Sequence, residues 1–286
     1  MNQSTNNNTE KVHKVLARAG LGSRREIEEW IRDGRIRINE RLAVIGDRVD
    51  EQSVIRLDGK QVHLKPMKEI RRRVLIYNKP VGEICTHSDP QGRTTVFENL
   101  PNVYHGRWLS IGRLDINTSG LIMFTNDGEL ANRMMHPSAE IERHYAVRIH
   151  GEPTQQQLQQ LKKGIELDDG MASFDSIKAG GGQGTNNWFT VSLKEGRNRE
   201  VRRLWQALDL EVSRLIRIQY GVIELPKSLS RGVWSELDDA KVNELAESVG
   251  LKATNIVKRS APNKHLRHKR MVSKRRRYSR NPKYNR

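Results

Sequence analysis

Three stretches of this chain combine residue types that could carry covalent or proton-transfer chemistry. The first is Gly112-Arg113-Leu114-Asp115-Ile116-Asn117-Thr118-Ser119-Gly120, running directly into Leu121-Ile122-Met123-Phe124. One carboxylate stands between an arginine and a polar turn, just ahead of an apolar strand-like run. Such an aspartate can be held rigidly near cations that keep it ionised, with its oxygens free to attack. The plain alternative for Asp115 is turn formation, a common task of Asp and Asn. The second stretch is Arg143-His144-Tyr145-Ala146-Val147, whose tyrosine offers a flat apolar face and a polar tip. Spacing alone makes Tyr145 an ordinary core residue of a strand.

The third stretch is Glu195-Gly196-Arg197-Asn198-Arg199-Glu200-Val201-Arg202-Arg203-Leu204-Trp205. Val201, Leu204, Trp205 and Leu208 fall at i, i+3, i+4 and i+7, the buried stripe of a helix. Arg199, Arg202 and Arg203 share another face by the same spacing. In isolation a run of arginines is a solvated face; beside Asp115 it would lower the carboxylate's pKa and fix its orientation.

Several elements must position these groups. Val12, Val15, Leu16 and Ala19 recur at helical spacing, and Gly20-Leu21-Gly22 ends that helix. Ser23-Arg24-Arg25-Glu26 is a capping box that opens a second helix through Ile27, Trp30 and Ile31. Ile36 and Ile38 alternate as a half-buried strand does, and runs at 54–57 and 61–64 complete a small helix-helix-strand unit. Arg24 and Arg25 oppose the dipole of their helix at a cost of about 0.3–1 kcal/mol each, so a bound anion explains them better than local stability. After a charged, proline-containing linker at 65–73, strands are expected at 74–78, 121–125, 145–149 and 188–193. Helices are expected at 129–136, 154–163, 198–208 and 239–249. Gly180-Gly181-Gly182-Gln183-Gly184 reads as a flexible hairpin connection. This irregular mixture points to an α+β fold rather than a βαβ series.

Composition narrows the function. The 286 residues suffice for two domains. No run approaches the ~18 apolar residues of a membrane span, and 1–9 lack an apolar export signal. A single cysteine, Cys85, precludes an intramolecular disulfide and fits a reducing cytoplasm. Of the net charge of +17, residues 251–286 supply +14, with 14 Lys/Arg and no acidic residue. A block of that kind is expected to be disordered in isolation and, with Tyr278 and Tyr284 among the cations, to favour a polyanion. No P-loop, His-Glu-x-x-His or Gly-x-Ser-x-Gly motif occurs, and Asn78-Lys79-Pro80-Val81-Gly82 is not the glycine-rich cofactor loop a methyltransferase needs.

The block from Gly112 to Leu121 resembles the signature of RNA pseudouridine synthases, in the RsuA/RluB branch, and the N-terminal unit resembles the S4-like (α-L) RNA-binding domain. The resemblance covers residues 10–250. It implies an S4-like domain over 10–70, a mixed, mainly antiparallel-sheet catalytic domain over 71–250, and a basic tail over 251–286. It implies isomerisation of a flipped-out uridine of ribosomal RNA without cofactor or metal. By the same resemblance Asp115 is the nucleophile, Tyr145 lies against the base and is implicated in proton removal from C5, and Arg202 forms an ion pair with Asp115. Arg113, Asn117, Arg199 and Arg203 become phosphate ligands or supports, and Lys14, Arg18, Arg24 and Arg25 contact folded RNA. The long basic tail favours large-subunit (23S) ribosomal RNA, presented as a stem-loop to a cytoplasmic monomer. Two alternatives remain: a non-catalytic ribosome-binding or assembly factor, which explains the charge distribution equally well, and the same chemistry on small-subunit RNA.

Overall fold

A computed structural model describes residues 9–64, 70–103, 106–183 and 185–253. The chain divides into two units, 1–254 and 255–286, and the second, with nearly all of the basic tail, lies outside the described residues.

The N-terminal module opens with β1 (Glu10–Lys11), α1 (Val12–Arg18) and α2 (Arg24–Arg32). The predicted capping box is present: Ser23 Oγ accepts from the Glu26 N–H, and the Glu26 carboxylate accepts from the Ser23 N–H. Short strands follow: β2 (Ile36–Ile38), β3 (Arg41–Leu42), β4 (Arg48–Val49), β5 (Ile55–Leu57) and β6 (Lys60–Gln61). They form an antiparallel sheet in the order β3-β2-β5-β6, while β1 pairs with β4. Val12, Leu16, Ile27, Ile36 and Ile55 close a separate small core. The strand expected over 61–64 sits instead at Lys60–Gln61. Asp58 and Gly59 both have positive φ (49° and 78°), and this two-residue turn forces Leu57 to pair with Lys60.

The rest of the described chain is built on one large sheet. Its elements are β7 (Val74–Lys79), β8 (Leu109–Ile111), β9 (Ser119–Thr125), α3 (Gly128–Met135), β10 (Arg143–His150), α4 (Gln155–Lys163), β11 (Ile165–Leu167), β12 (Gly170–Ala172), β13 (Ser176–Gln183), β14 (Asn186–Leu193), α5 (Glu200–Gln206), β15 (Glu211–Tyr220), β16 (Ile223–Glu224), β17 (Trp234–Glu236) and α6 (Asp239–Glu247). The strand order is β13-β14-β10-β15-β9-β7-β17, with β8 added on β9 and β16 on β15, while β11 and β12 pair apart from it as a two-stranded sheet. The β15–β9 pair is parallel and the other pairs of this sheet are antiparallel. Every residue of β7 and β9 is buried, because both faces of the sheet are covered. One face packs Tyr77, Ile122, Val147 and Val191 against Val201, Leu204 and Trp205 of α5. The other packs Ile76, Leu121 and Met123 against Leu130 and Met134 of α3 and Val242 and Leu245 of α6.

Three local readings change. Gly180, Gly181 and Gly182 belong to β13 rather than to a loop, with a register shift between Ala179 and Gly181; a glycine run is tolerated there because the backbones approach closely. Helix α5 starts at Glu200, since Arg199 before it adopts a left-handed conformation with φ 50°. The long strand β15 was not anticipated, because Arg214 and Arg217 interrupt its apolar alternation.

Two close backbone approaches organise the molecule. Gly20 (φ +88°) and Gly106 (φ +81°) seat the N-terminal module: a Cβ on Gly20 would lie 2.7 Å from the Gly106 carbonyl oxygen, and one on Gly106 would lie 2.8 Å from that of Arg18. In the large sheet, Lys79 pairs with Gly120, Gly120 with Arg217, and Arg217 with Tyr145, a single row across β7, β9, β15 and β10. Gly120 has φ +105°, and a Cβ there would lie 2.3 Å from the Arg217 carbonyl oxygen. Gly120→Ala is therefore expected to lower stability by about 3 kcal/mol or more, from backbone strain and forced strand separation. Thermal or urea unfolding measures it, and an unaltered midpoint would contradict the parallel seam.

Candidate active site

The segment from Leu114 to Thr118 leads directly into the start of β9, an interior strand of the sheet, and is tied down almost entirely through its main chain. The Leu114 carbonyl accepts from Cys85 Sγ at 3.3 Å. The Asp115 carbonyl accepts from the Thr118 N–H at 3.1 Å and from Lys79 Nζ at 3.0 Å. The Ile116 carbonyl accepts from the Gly82 N–H at 2.8 Å. The Asn117 carbonyl accepts from Arg202 Nη2 at 3.0 Å, and that of Thr118 from Lys79 Nζ at 2.9 Å. Five consecutive carbonyls are thus occupied, and the Asp115 carboxylate takes no part in holding the loop. It remains 33% exposed, with Arg199 Nη1 at 3.9 Å from Oδ2. A carboxylate fixed at its backbone and free at its oxygens suits nucleophilic attack.

Lys79 is the centre of this clamp and was missed in the sequence. Its side chain is fully buried, and Nζ donates to the carbonyls of Pro80 (3.0 Å), Asp115 and Thr118. Three donors on three carbonyls saturate the ammonium. Burial nevertheless pushes its pKa down, opposed by the neighbouring Cys85, Glu83 and Asp115. The available signal was a lysine directly before proline at the end of an otherwise apolar run. Cys85 makes a second tie, since the Leu114 N–H also donates to its sulfur at 3.4 Å.

The arginines are arranged differently from expectation. Arg202 does not form the direct ion pair with Asp115. Its Nη1 donates to the Val212 carbonyl at 2.9 Å and its Nη2 to that of Asn117, so it braces the loop against β15. Burial and Arg199 lower its pKa, and Asp115 opposes them, so the two still share one local field. The cation nearest the carboxylate is Arg199, whose left-handed backbone before α5 turns its side chain to the loop; its Nη1 also lies 3.4 Å from Asn117 Oδ1. Arg203 does not face the loop. It is engaged by Asp169 through two 2.8 Å hydrogen bonds. Arg113 and Asn117 are exposed at the rim.

Tyr145 lies on β10 beside a register shift between His144 and Tyr145, a bulge of the kind that re-aims a side chain. It is 8% exposed and packs in the same core as Leu114. Its hydroxyl makes no hydrogen bond with another described residue. The loop thus brings together Asp115, Asn117, Arg199 and Arg202, with Tyr145 in the adjoining core. Lys14, Arg18, Arg24 and Arg25 lie apart from it on α1 and α2. Arg18 is held by Glu10 through hydrogen bonds of 2.9 and 2.6 Å, while Lys14, Arg24 and Arg25 are exposed.

Comparison with known proteins places this geometry. A family model described as RNA pseudouridylate synthase matches residues 73–207, and one described as S4 domain matches residues 10–55. The chain is 55% identical over 246 residues to the ribosomal large subunit pseudouridine synthase B of Haemophilus influenzae, covering 85% of this chain and 69% of that protein. It is 54% identical over 245 residues to the protein of the same name from Escherichia coli K12, covering 85% and 84%. A crystal structure of pseudouridylate synthase shares the fold, with a TM-score of 0.57 and 24% identity over 82% of this chain and 99% of that one.

Proposed function

The chain belongs to the RNA pseudouridylate synthase family, with an S4 domain ahead of its synthase domain, and from that membership we propose that it converts a specific uridine of large-subunit (23S) ribosomal RNA to pseudouridine. The observation that carries the reading to this site is the loop of five occupied carbonyls, which presents one unencumbered carboxylate. The reaction is an isomerisation: the bond from N1 to C1′ breaks, the base turns, and C5 bonds to C1′. The proton lost from C5 is balanced by one gained at N1. No atom leaves the nucleotide, so no donor is consumed.

In this reading the target uridine leaves its stack, because a side chain cannot reach the glycosidic bond inside a helix. Unstacking costs a few kcal/mol, offset by phosphate contacts and by packing of the base on Tyr145. Asp115 acts as nucleophile, Arg199 stands beside its carboxylate and Arg202 holds its loop. Tyr145 relays the C5 proton. Arg113 and Asn117 at the rim contact the backbone of the flipped nucleotide. The domains divide at 10–70, 71–250 and 251–286, the substrate is a stem-loop, and the enzyme acts as a monomer in the cytoplasm. No helix among the described residues is long and apolar enough to cross a membrane.

The test is to incubate the full chain with ribosomal RNA of both subunits and to map pseudouridine chemically. One modified position in the large-subunit RNA is expected. Modification confined to the small-subunit RNA would move the substrate. RNA binding with no pseudouridine in either would leave a ribosome-binding factor and overturn the reading.

A further inference from the structure

Between the N-terminal module and the sheet unit lies an open cleft of about 600 Å³. Its walls carry Lys14, Arg24 and Arg25 from α1 and α2, and His87, Phe97 and Arg107 from the segments before β8; the carboxylates of Glu10, Asp127 and Glu129 in the same lining are taken up by Arg18, Arg72 and Arg133. Arg18 in this wall is paired with Glu10, but four other cations there are not paired among the described residues. Arg35, Arg41, Arg93, Arg133 and Arg203 each meet a carboxylate within 3 Å. The side chains of Lys14, Arg24, Arg25 and Arg107 have no hydrogen bond or ion pair with another described residue. Arg107 Nε is buried without a partner. Burial lowers the Arg107 pKa, Glu26 opposes it, and Arg24 adds a smaller lowering. The Glu26 carboxylate is already engaged by the Ser23 N–H. Arg24 reaches across the cleft, its Nη2 lying 3.8 Å from where a Cβ on Gly128 would stand.

Like charges gathered in a half-buried cleft repel one another, and a buried donor without a partner is costly. An anion between Arg24 and Arg107 relieves both penalties. Beside them the exposed His87 ring stacks on Phe97, with centroids 3.6 Å apart and planes 20° apart. Phe97 in turn meets Phe124 of the core edge-on, with centroids 5.3 Å apart. His87 is therefore a flat ring backed on one side by the core and open on the other. Cations beside an anchored ring match a nucleotide: the cations take phosphate and the ring takes an unstacked base.

We propose that this cleft is a second RNA-binding site, which takes a backbone phosphate between Arg24 and Arg107 and stacks a base on His87, on the same RNA whose uridine enters the Asp115 site. The inference rests on the proposed function and extends it: both modules grip one RNA, at a point away from the modified nucleotide.

The test uses the full chain and a large-subunit ribosomal RNA fragment, with the dissociation constant measured by filter binding across a salt series. Arg107→Gln is expected to weaken binding about 5- to 20-fold and to flatten the slope of log affinity against log salt by about 0.7–0.9, the amount for one phosphate. Arg107→Lys keeps the charge and should keep the slope. His87→Ala, at an exposed position, should weaken binding at least about 5-fold, as loss of one stacked base does, without altering the slope. Arg35→Gln, which removes the Asp58 pair and the contact with the Trp30 ring, is the control and should change neither. Parental affinity and slope in both Arg107→Gln and His87→Ala, or an equal loss in Arg35→Gln, would overturn the site. Should Arg107→Gln fail to fold, His87→Ala decides the matter: parental affinity in it would overturn the site. Because binding is read without turnover, a parent chain that forms no pseudouridine counts against the proposed function alone. A parent that forms it while both variants bind normally counts against this cleft alone.

Discussion

Asp115→Asn is expected to abolish pseudouridine formation while leaving the fold and the RNA affinity almost untouched. Among the described residues the side chain makes no hydrogen bond, and its one charged neighbour within 4 Å is Arg199 at 3.9 Å, at a partly exposed site. Pairs of that kind contribute about 0–1 kcal/mol, so the unfolding midpoint should hardly move. The loop itself keeps its shape, because its ties run through main-chain carbonyls from Leu114 to Thr118. The amide is isosteric with the carboxylate but is not a nucleophile. Removing a nucleophile from a preorganised site typically costs about 10⁴-fold or more in kcat. Single-turnover assays with quantitative pseudouridine analysis measure this, alongside an RNA dissociation constant expected to stay within a few fold. Substantial product from the variant would remove Asp115 from the reaction.

Lys79→Met should give a different signature. Methionine approximates the length of the lysine stem and carries no charge, so the site is filled while three charge-assisted hydrogen bonds disappear. The Pro80 and Thr118 carbonyls lose a donor, and the Asp115 carbonyl keeps only the Thr118 N–H. Unsatisfied buried carbonyls cost about 1–3 kcal/mol each, partly offset because the buried ammonium no longer has to be desolvated. A net loss of about 2–4 kcal/mol in stability is expected. In the folded fraction the aspartate is no longer held in register with its substrate, and a displacement near 1 Å can cost about 10²-fold. Lys79 is a positioning residue, so kcat should fall by about that factor while KM for RNA stays within a few fold. A fall in stability with kcat unchanged would leave Lys79 a purely structural group.

The contrast between these two residues shows what was legible in the sequence. Asp115 could be singled out because carboxylate, arginine, turn and apolar run are contiguous, whereas Tyr145, an ordinary core residue by spacing, was singled out by the family resemblance alone. The α2 capping box, the α5 stripe and the strands β7, β9, β10 and β14 are written in local periodicity and were read correctly. Lys79 could not be found that way. Its meaning depends on carbonyls 36 and 39 residues away, and its place before a proline at the end of an apolar run marks a strand end without showing what the ammonium binds. Arg202 and Arg199 exchanged expected neighbours for a related reason. Helical spacing put both on one face, but Arg199 precedes the helix in a left-handed conformation, which redirects its side chain. The β13 glycines were misread because their usefulness comes from close approach to β14, a partner that composition does not reveal.

The contact between Gly20 and Gly106 bears on how such an enzyme selects its target. Two peptide backbones meet there with no side chain between them, so the joint lacks a compressible layer that could absorb sliding. A joint of this kind fixes a span. With one end of an RNA held beside α2 and the other required to deliver a nucleotide to the β9 loop, the chain works as a caliper. Its substrate would be recognised by how far apart two points lie on a folded RNA more than by the letters between them, and one base pair inserted into that interval should be worse tolerated than several substituted within it.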